Sequence, residues 1–231
     1  MVIAFVGQKG GVGKSTLAIF TAAELTHRGY RVLLVDADPQ GTARTWGDVA
    51  NEANVHTPSI VAMGATMHRP GQLDAVGDGY DVVLVDCPPR HGEIQRAALM
   101  VADVAVLPCG PSPADAWALT TSLELVSEAQ VVRPHLRACI ALTRVRTGTR
   151  IAQSTRTALE STGLPVLEAE IGYRVVFQEA MAAGQGLDAC STSDAGVKEL
   201  RHFVDAILSF ANPEEEREVA DAKAATSDCA A

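Results

Sequence analysis

The stretch Gly7-Gln8-Lys9-Gly10-Gly11-Val12-Gly13-Lys14-Ser15-Thr16 follows an apolar run at residues 2–6. A short buried strand that enters a glycine-rich turn and then a helix directs several backbone N–H groups towards one point, which suits a phosphate. In this pattern the lysine before the Ser-Thr pair reaches the β- and γ-phosphates, and the serine hydroxyl is a ligand for Mg²⁺. The predicted nucleotide-binding residues are Gly10, Gly11, Val12, Gly13, Lys14, Ser15 and Thr16, with Ser15 also a metal ligand.

The loop departs from the ordinary phosphate-loop pattern at two positions. Its first glycine would fall at position 8, where the chain has Gln8, and a second lysine, Lys9, stands just before the glycine pair. The alternative interpretation is a glycine-rich turn that only connects strand to helix. Three glycines followed by Lys-Ser-Thr, directly after a strand, favour the phosphate site.

Composition indicates a globular protein with one sizeable α/β domain. The 231 residues are 47% hydrophobic and 20% charged, with a net charge of −9. No apolar run is long enough to span a membrane and no secretory signal precedes the first strand, so we expect no membrane partner. The five cysteines are scattered without C-x-x-C spacing, which disfavours zinc and redox sites and fits a reducing cytoplasm.

Strand-like apolar runs alternate with helix-like stretches along almost the whole chain. Such alternation predicts an α/β fold with a mostly parallel twisted sheet covered by helices on both faces. We expect a single domain over residues 1–211 and a disordered, acidic and Ala-rich tail over 212–231. A short strand is predicted at 166–169, and no structure is predicted for 64–79. Ligands of such sheets bind beyond the carboxyl ends of the strands.

Three aspartates end predicted buried strands at that same edge of the sheet. Asp86 closes the run 81–86, and a buried carboxylate there is costly unless a metal ion or another partner balances its charge. Asp36 and Asp38 alternate at the end of the run from 31, so they share one side of an extended chain. One of them can assist Mg²⁺ while the other orients the attacking water. The alternative for Asp86 is a loop residue or helix cap.

These motifs together resemble the ParA/MinD family of ATPases with the deviant Walker A box, in the order Lys-Gly-Gly-x-Gly-Lys-Ser-Thr, Asp-x-Asp-Pro-Gln-Gly and Asp86. The resemblance implies a P-loop NTPase fold, ATP and Mg²⁺ as cofactors, and hydrolysis to ADP and phosphate that is weak until a partner stimulates it. It implies that Lys9 reaches the phosphates of the other subunit in an ATP-dependent homodimer. The implied catalytic residues are Lys9, Lys14 and Asp38, the implied metal residues are Ser15, Asp36 and Asp86, and Arg144 is implied near the adenine.

Arginines are concentrated in one part of the chain. Residues 129–159 contain six arginines and no acid, although the net charge of the protein is negative. One basic sector on an otherwise acidic protein is typical of a polyanion binder, although an arginine-rich composition alone would also explain it. Within the resemblance, the segment 171–180 places Arg174 where ParA proteins carry an arginine for non-specific DNA binding. We therefore predict DNA contacts from Arg146, Arg150 and Arg174, with an ion pair to Glu170 or Glu179 as the alternative for Arg174.

Within the family, the small ParA type fits best, and ParF-like plasmid partition proteins give the nearest pattern. MinD is disfavoured because its basic membrane helix is missing and the tail opens with Glu214-Glu215-Glu216. The resemblance implies a cytoplasmic, nucleoid-associated ATPase that partitions a plasmid or chromosome with a ParB/ParG-like or cargo-adaptor protein. Positioning of a protein assembly, such as a carboxysome or chemotaxis cluster, is an alternative. A metabolic P-loop enzyme and a non-catalytic DNA-bridging protein are further ones.

Overall fold

The computed structural model describes residues 1–146 and 148–212 of the chain. Of the predicted tail at 212–231, residues 213–231 lie outside the described part of the chain. Within them, no helix is both long and apolar enough to cross a lipid bilayer.

Six strands form one sheet in the order β3-β2-β4-β1-β5-β6, and every neighbouring pair is parallel. This confirms the predicted fold class. Valine, isoleucine and leucine make up most of the central strands, as expected for strands that are buried on both faces. The strands are β1 (Val2–Phe5), β2 (Val32–Asp36), β3 (Ser59–Ala62), β4 (Val82–Asp86), β5 (Val104–Cys109) and β6 (Arg137–Leu142).

Helices cover both faces of this sheet. They are α1 (Lys14–His27), α2 (Thr42–Glu52), α3 (Leu73–Gly77), α4 (Gly92–Leu99), α5 (Pro113–Val132), α6 (Arg150–Glu160), α7 (Val175–Ala182) and α8 (Ala195–Ala211). The short helix α3 lies inside the segment for which the sequence predicts nothing. The predicted strand at 166–169 is wrong: the segment makes only an isolated bridge between Ile140 and Val166.

Two hydrophobic cores lie on opposite faces of the sheet because successive strand side chains alternate in direction. Ile3 and Phe5 of β1 point into a core formed with α1, α2, α7 and α8. Ala4 of the same strand points into a second core formed with helices α3 to α6. Full burial of a side chain such as Phe5 contributes about 1.5–3 kcal/mol to the free energy of folding. The packing of helices on both faces therefore stabilises the position of the sheet and of its strand ends.

The register of the sheet brings the functional strand ends together. Asp36 pairs with Asp86 across β2 and β4, and Phe5 pairs with Asp86 across β1 and β4. The loop that follows β1 therefore emerges beside both aspartates. This edge, formed by the carboxyl ends of parallel strands, is where ligands of open α/β sheets bind.

Candidate nucleotide site

The glycine-rich loop after β1 adopts a conformation that only glycine takes up without strain. Gly11 and Gly13 have φ angles of 74° and 97°, and Gly13 is the residue immediately before α1. The loop is held from behind by two buried side chains: Ser122 Oγ accepts a hydrogen bond from Gln8 N at 3.1 Å, and Gln95 Nε2 donates to Gly7 O at 3.3 Å. The backbone amides at the start of α1 are thereby oriented before any phosphate arrives.

Lys14, the first residue of α1, is buried at 5% exposure. Its ammonium group donates to the carbonyl oxygen of Lys9 at 2.8 Å, so it stays inside the loop. Burial lowers the pKa of Lys14, while the nearby carboxylates of Asp86 and Asp38 act in the opposite direction. A partly desolvated cation next to a glycine-rich loop is well suited to bind a polyphosphate.

Asp86 at the end of β4 is completely buried, and neither of its carboxylate oxygens has a hydrogen-bond partner among the described residues. Burial is the main cause that raises its pKa to about 7. The Ser15 hydroxyl, which lies near the carboxylate without making a hydrogen bond of good geometry, and the charge of Lys14 lower it, and Asp36 raises it further. An unpaired buried carboxylate of this kind costs several kcal/mol unless a cation balances it. Asp86 beside the Ser15 hydroxyl therefore fits Mg²⁺, for which a bound nucleotide would supply the remaining oxygen ligands.

The two other predicted aspartates have different surroundings. Both oxygens of Asp36 are occupied: one accepts the amide of Asp38 at 3.1 Å and the other accepts the amide of Arg44 at 3.0 Å. The guanidinium of Arg44 also lies 3.4 Å from Asp36. Asp38 uses one oxygen to accept the amide of Gln40 at 2.9 Å, and it lines the cavity in front of the phosphate loop. Asp38 is therefore placed to meet a ligand, while Asp36 shapes the loop that carries it.

That cavity has a volume of about 480 Å³ and runs from the phosphate loop to the start of α7. Its far end is lined by Tyr173, Phe177 and Gln178, which combine aromatic faces with a side-chain amide. Size and lining suit a nucleoside triphosphate, with its phosphates at the amides and its base at the aromatic end.

Arg144, which follows β6, forms one wall of the cavity in a left-handed backbone conformation with φ of 56°. Its guanidinium donates to the carbonyl oxygen of Gly11 at 2.8 Å and lies 5.5 Å from the ring centre of Tyr173. A parallel bridge between Val145 and Gly172 holds these two chain segments side by side. Contact between Arg144 and the adenine of a nucleotide stays a prediction, and the structure adds Tyr173 as the aromatic neighbour of Arg144.

Arg174 also lines this cavity, and its guanidinium is paired with Glu199 of α8 at 2.6 Å. The sequence anticipates an ion pair with Glu170 or Glu179 as the alternative to DNA contact. The carboxylate that it meets is instead Glu199, because the start of α8 packs beside residues 172–174.

The six arginines of residues 129–159 do not form one surface. Three have structural partners: Arg133 donates to the carbonyl groups of residues 100 and 102, Arg137 stacks on Phe210, and Arg156 pairs with Glu170. Arg144 belongs to the cavity wall. Of these six arginines, only Arg146 and Arg150 are both exposed and without a side-chain partner among the described residues.

Lys9 lies at the rim of the site, with its ammonium group 2.6 Å from the carboxylate of Asp115 on α5. The sequence does not reveal this partner, since 106 residues separate the two and the Ser-Pro-x-Asp pattern indicates only a helix start. Gln95 and Arg44 are missed for the same reason. Each acts through a contact that the tertiary fold creates, and neither belongs to a recognisable motif.

Comparisons with known proteins agree with this geometry. The family model described as "CobQ/CobB/MinD/ParA nucleotide binding domain" matches residues 3–187. A carboxysome distribution protein A of Halothiobacillus neapolitanus is 35% identical over 184 residues, which cover 79% of this chain and 84% of that protein. The chromosome-partitioning ATPase Soj of Thermus thermophilus is 31% identical over 241 residues, covering 90% of this chain and 95% of that protein.

Among solved structures, the chain is similar to a cobyrinic acid a,c-diamide synthase from Mycobacterium smegmatis with a bound ATP analogue and magnesium. The TM-score is 0.71 at 25% sequence identity, and the similarity covers 90% of this chain and 94% of that one. The sheet and its flanking helices therefore follow the P-loop NTPase fold that the sequence predicts.

Proposed function

We propose that this member of the CobQ/CobB/MinD/ParA nucleotide-binding family is an ATP-dependent dimer that partitions or positions a cargo on DNA. The chain is an ATPase of ParA/MinD type with ATP and Mg²⁺ as its cofactors. The observation that carries this proposal is Lys9, a second lysine at the rim of the phosphate site. Lys14 already supplies the cation that one nucleotide needs. A second lysine beside it is explained if its ammonium group serves the nucleotide of another subunit.

The roles of the other residues follow from their positions. Lys14 and the loop amides would hold the phosphates, and Ser15 and Asp86 would hold Mg²⁺, which would supply positive charge against the phosphates. Asp38, the aspartate that faces the cavity with a free oxygen, orients the attacking water. We assign Asp36 an indirect role because its oxygens already bind the loop amides.

DNA binding is proposed for the surface after β6. Arg146 and Arg150 are exposed there, whereas Arg174 lines the cavity with Glu199 as its partner. Exposed guanidinium groups without a side-chain partner, such as these two, contact phosphates without reading bases, as non-specific binding requires. Such binding would place the protein on the nucleoid in the cytoplasm, with a ParB/ParG-like or adaptor protein on the cargo that stimulates hydrolysis.

Two kinds of cargo are compatible with the site. Partition of a plasmid or chromosome is the first, and the 31% identity with a chromosome-partitioning ATPase supports it. Positioning of a protein assembly is the second, supported by 35% identity with a carboxysome distribution protein. The similarity to a diamide synthase supports a metabolic enzyme as an alternative function. That alternative leaves Lys9, Arg146 and Arg150 without a role.

The test is ATP-dependent binding to duplex DNA of random sequence, measured by fluorescence anisotropy over a range of salt concentrations. Replacing Arg146 and Arg150 together by glutamate should weaken binding about 10- to 100-fold and lower the salt dependence by about two phosphate contacts. Arg69→Glu is a matched control, because Arg69 is equally exposed and follows β3 at the opposite edge of the sheet. DNA binding by the double variant at wild-type strength would refute this surface. Absence of ATP-dependent binding in the wild type would favour the metabolic enzyme.

A further inference from the structure

The first turn of α5 places an acid directly against the lysine that distinguishes this phosphate loop. The ammonium nitrogen of Lys9 lies 2.6 Å from a carboxylate oxygen of Asp115, and the Asp115 side chain is only 16% exposed. Lys9 itself is 37% exposed, so its charged end sits at the boundary between the protein and solvent. The ion pair thus holds the lysine on the surface of its own subunit.

Asp115 is held in place independently of Lys9. The Ser112 hydroxyl donates to its carboxylate, and the Asp115 amide donates back to Ser112 Oγ at 3.2 Å, which caps α5. Gly110 makes room for the carboxylate: a Cβ at this position would lie 2.6 Å from an Asp115 oxygen. Burial alone would raise the pKa of Asp115, but the hydrogen bonds from Lys9 and Ser112 outweigh it and keep the pKa below its ordinary value. Asp115 is thus a fixed anion, whereas the Lys9 ammonium group has no contact besides Asp115 among the described residues.

We propose that Asp115 is a positioning residue that retains Lys9 within its own subunit, and that this ion pair must separate before Lys9 can act on a second subunit. The inference rests on the proposed function, since it assumes that Lys9 works in the partner's site. A lysine ammonium cannot remain in contact with Asp115 and also reach phosphates beyond the surface of its subunit. The phosphates of a bound nucleotide carry more negative charge than one carboxylate, so they compete successfully for Lys9 only when two loaded subunits meet.

The pair therefore sets a threshold for dimerisation. Without it, Lys9 would be free at every encounter, including encounters between subunits that lack a triphosphate. With it, each subunit gives up one ion pair when the dimer forms, so a dimer gives up two. The pair is partly exposed, and its loss should change an equilibrium by no more than about fivefold for each subunit. For the dimer this amounts to a factor of about 25 at most.

The first experiment tests the ion pair in the full-length chain without nucleotide. Lysines are labelled with an amine-reactive reagent under limiting conditions, and labelling of Lys9 is compared with that of exposed Lys198 by mass spectrometry. We expect Lys9 to react several times faster in Asp115→Asn than in the wild type, with Lys198 unchanged. Glu124→Gln is the matched control, because it removes an exposed acid from the same helix. Equal labelling of Lys9 in wild type and Asp115→Asn would overturn the proposal.

The second experiment measures the dimer dissociation constant with a non-hydrolysable ATP analogue by sedimentation velocity. Asp115→Asn should dimerise about twofold to about 25-fold more tightly than wild type, because two partly exposed ion pairs no longer have to separate. Gly110→Ala is a second variant, and it retains the Asp115 charge. The added methyl group should displace the Asp115 carboxylate from its present position. Alanine is tolerated at residue 110 because the backbone there has no positive φ. It should shift the constant in the same direction by a smaller factor, while Glu124→Gln leaves it unchanged.

Failure of this inference is distinguishable from failure of the proposed function. If Lys9→Ala abolishes the dimer while Asp115→Asn and Gly110→Ala dimerise like wild type, the role of Asp115 is refuted and that of Lys9 stands. If the wild type does not dimerise with the ATP analogue, the proposed function and the threshold are both refuted. The labelling experiment then shows only whether Lys9 is held by Asp115.

Discussion

Replacement of Asp86 by asparagine should stabilise the nucleotide-free protein and abolish its response to Mg²⁺-ATP. Asp86 is completely buried without a hydrogen-bond partner in the described residues, and its pKa is raised from 3.8 to about 7. The folded state therefore binds a proton more tightly at this group than the unfolded state does. Stability from this group is fully present below about pH 4 and is lost as the pH rises to about 7.

The size of the effect follows from the same difference in pKa. Each tenfold change in proton affinity is worth about 1.4 kcal/mol, so ionised Asp86 lowers the free energy of unfolding by up to about 4 kcal/mol at pH 8. The amide of the Asp86→Asn variant does not titrate, so the variant should be more stable than wild type by an amount that grows from about pH 4 to about pH 7. Mg²⁺-ATP at about 100 times its dissociation constant should raise wild-type stability by about 2.7 kcal/mol and leave Asp86→Asn unchanged.

The assay is urea unfolding followed by circular dichroism at about pH 5 and about pH 8, with and without Mg²⁺-ATP. Asp78→Asn is the control, because Asp78 is an exposed acid whose removal should leave the difference between the two pH values unaltered. If Asp86→Asn differs from wild type by the same amount at both pH values, the carboxylate does not carry the burial penalty described here. If Mg²⁺-ATP stabilises the variant as much as the wild type, Asp86 is not part of the metal site.

Three further substitutions test other parts of the site. Asp38→Asn should keep ATP binding but slow hydrolysis about 100-fold or more in single-turnover assays, since Asp38 is assigned to the attacking water. Gln95→Leu removes a buried donor to the carbonyl oxygens of two active-site loops. It should lower the free energy of unfolding in urea by about 1–3 kcal/mol and weaken ATP binding in calorimetry. Unaltered ATP affinity would show that the phosphate loop needs no support from α4. Glu199→Gln should destabilise the fold by less than about 1 kcal/mol because the pair with Arg174 is partly exposed, and a double-mutant cycle with Arg174→Gln measures that coupling directly.

The sequence by itself determined the fold class and the position of the nucleotide site. Buried strands are readable as runs of β-branched residues and leucine, and the rule that parallel strands end at one edge places Gly13, Asp36 and Asp86 together without coordinates. The glycine-rich loop is local, so its backbone requirement is visible as a pattern of residue types. The predictions of a parallel sheet and of the family rest on such local signals, and the structure and the family comparison confirm them.

Only the tertiary structure decided how the charged groups are paired. Nothing local in the sequence distinguishes Asp86, which is unpaired among the described residues, from Asp36, whose oxygens bind the amides of residues 38 and 44. The same holds for the arginines, of which some brace the fold while Arg146 and Arg150 remain exposed. Lys9 meets Asp115 across 106 residues because α5 returns to the loop after β1. Ion pairs depend on distances of a few ångströms between distant segments, and those distances exist only once the chain is packed.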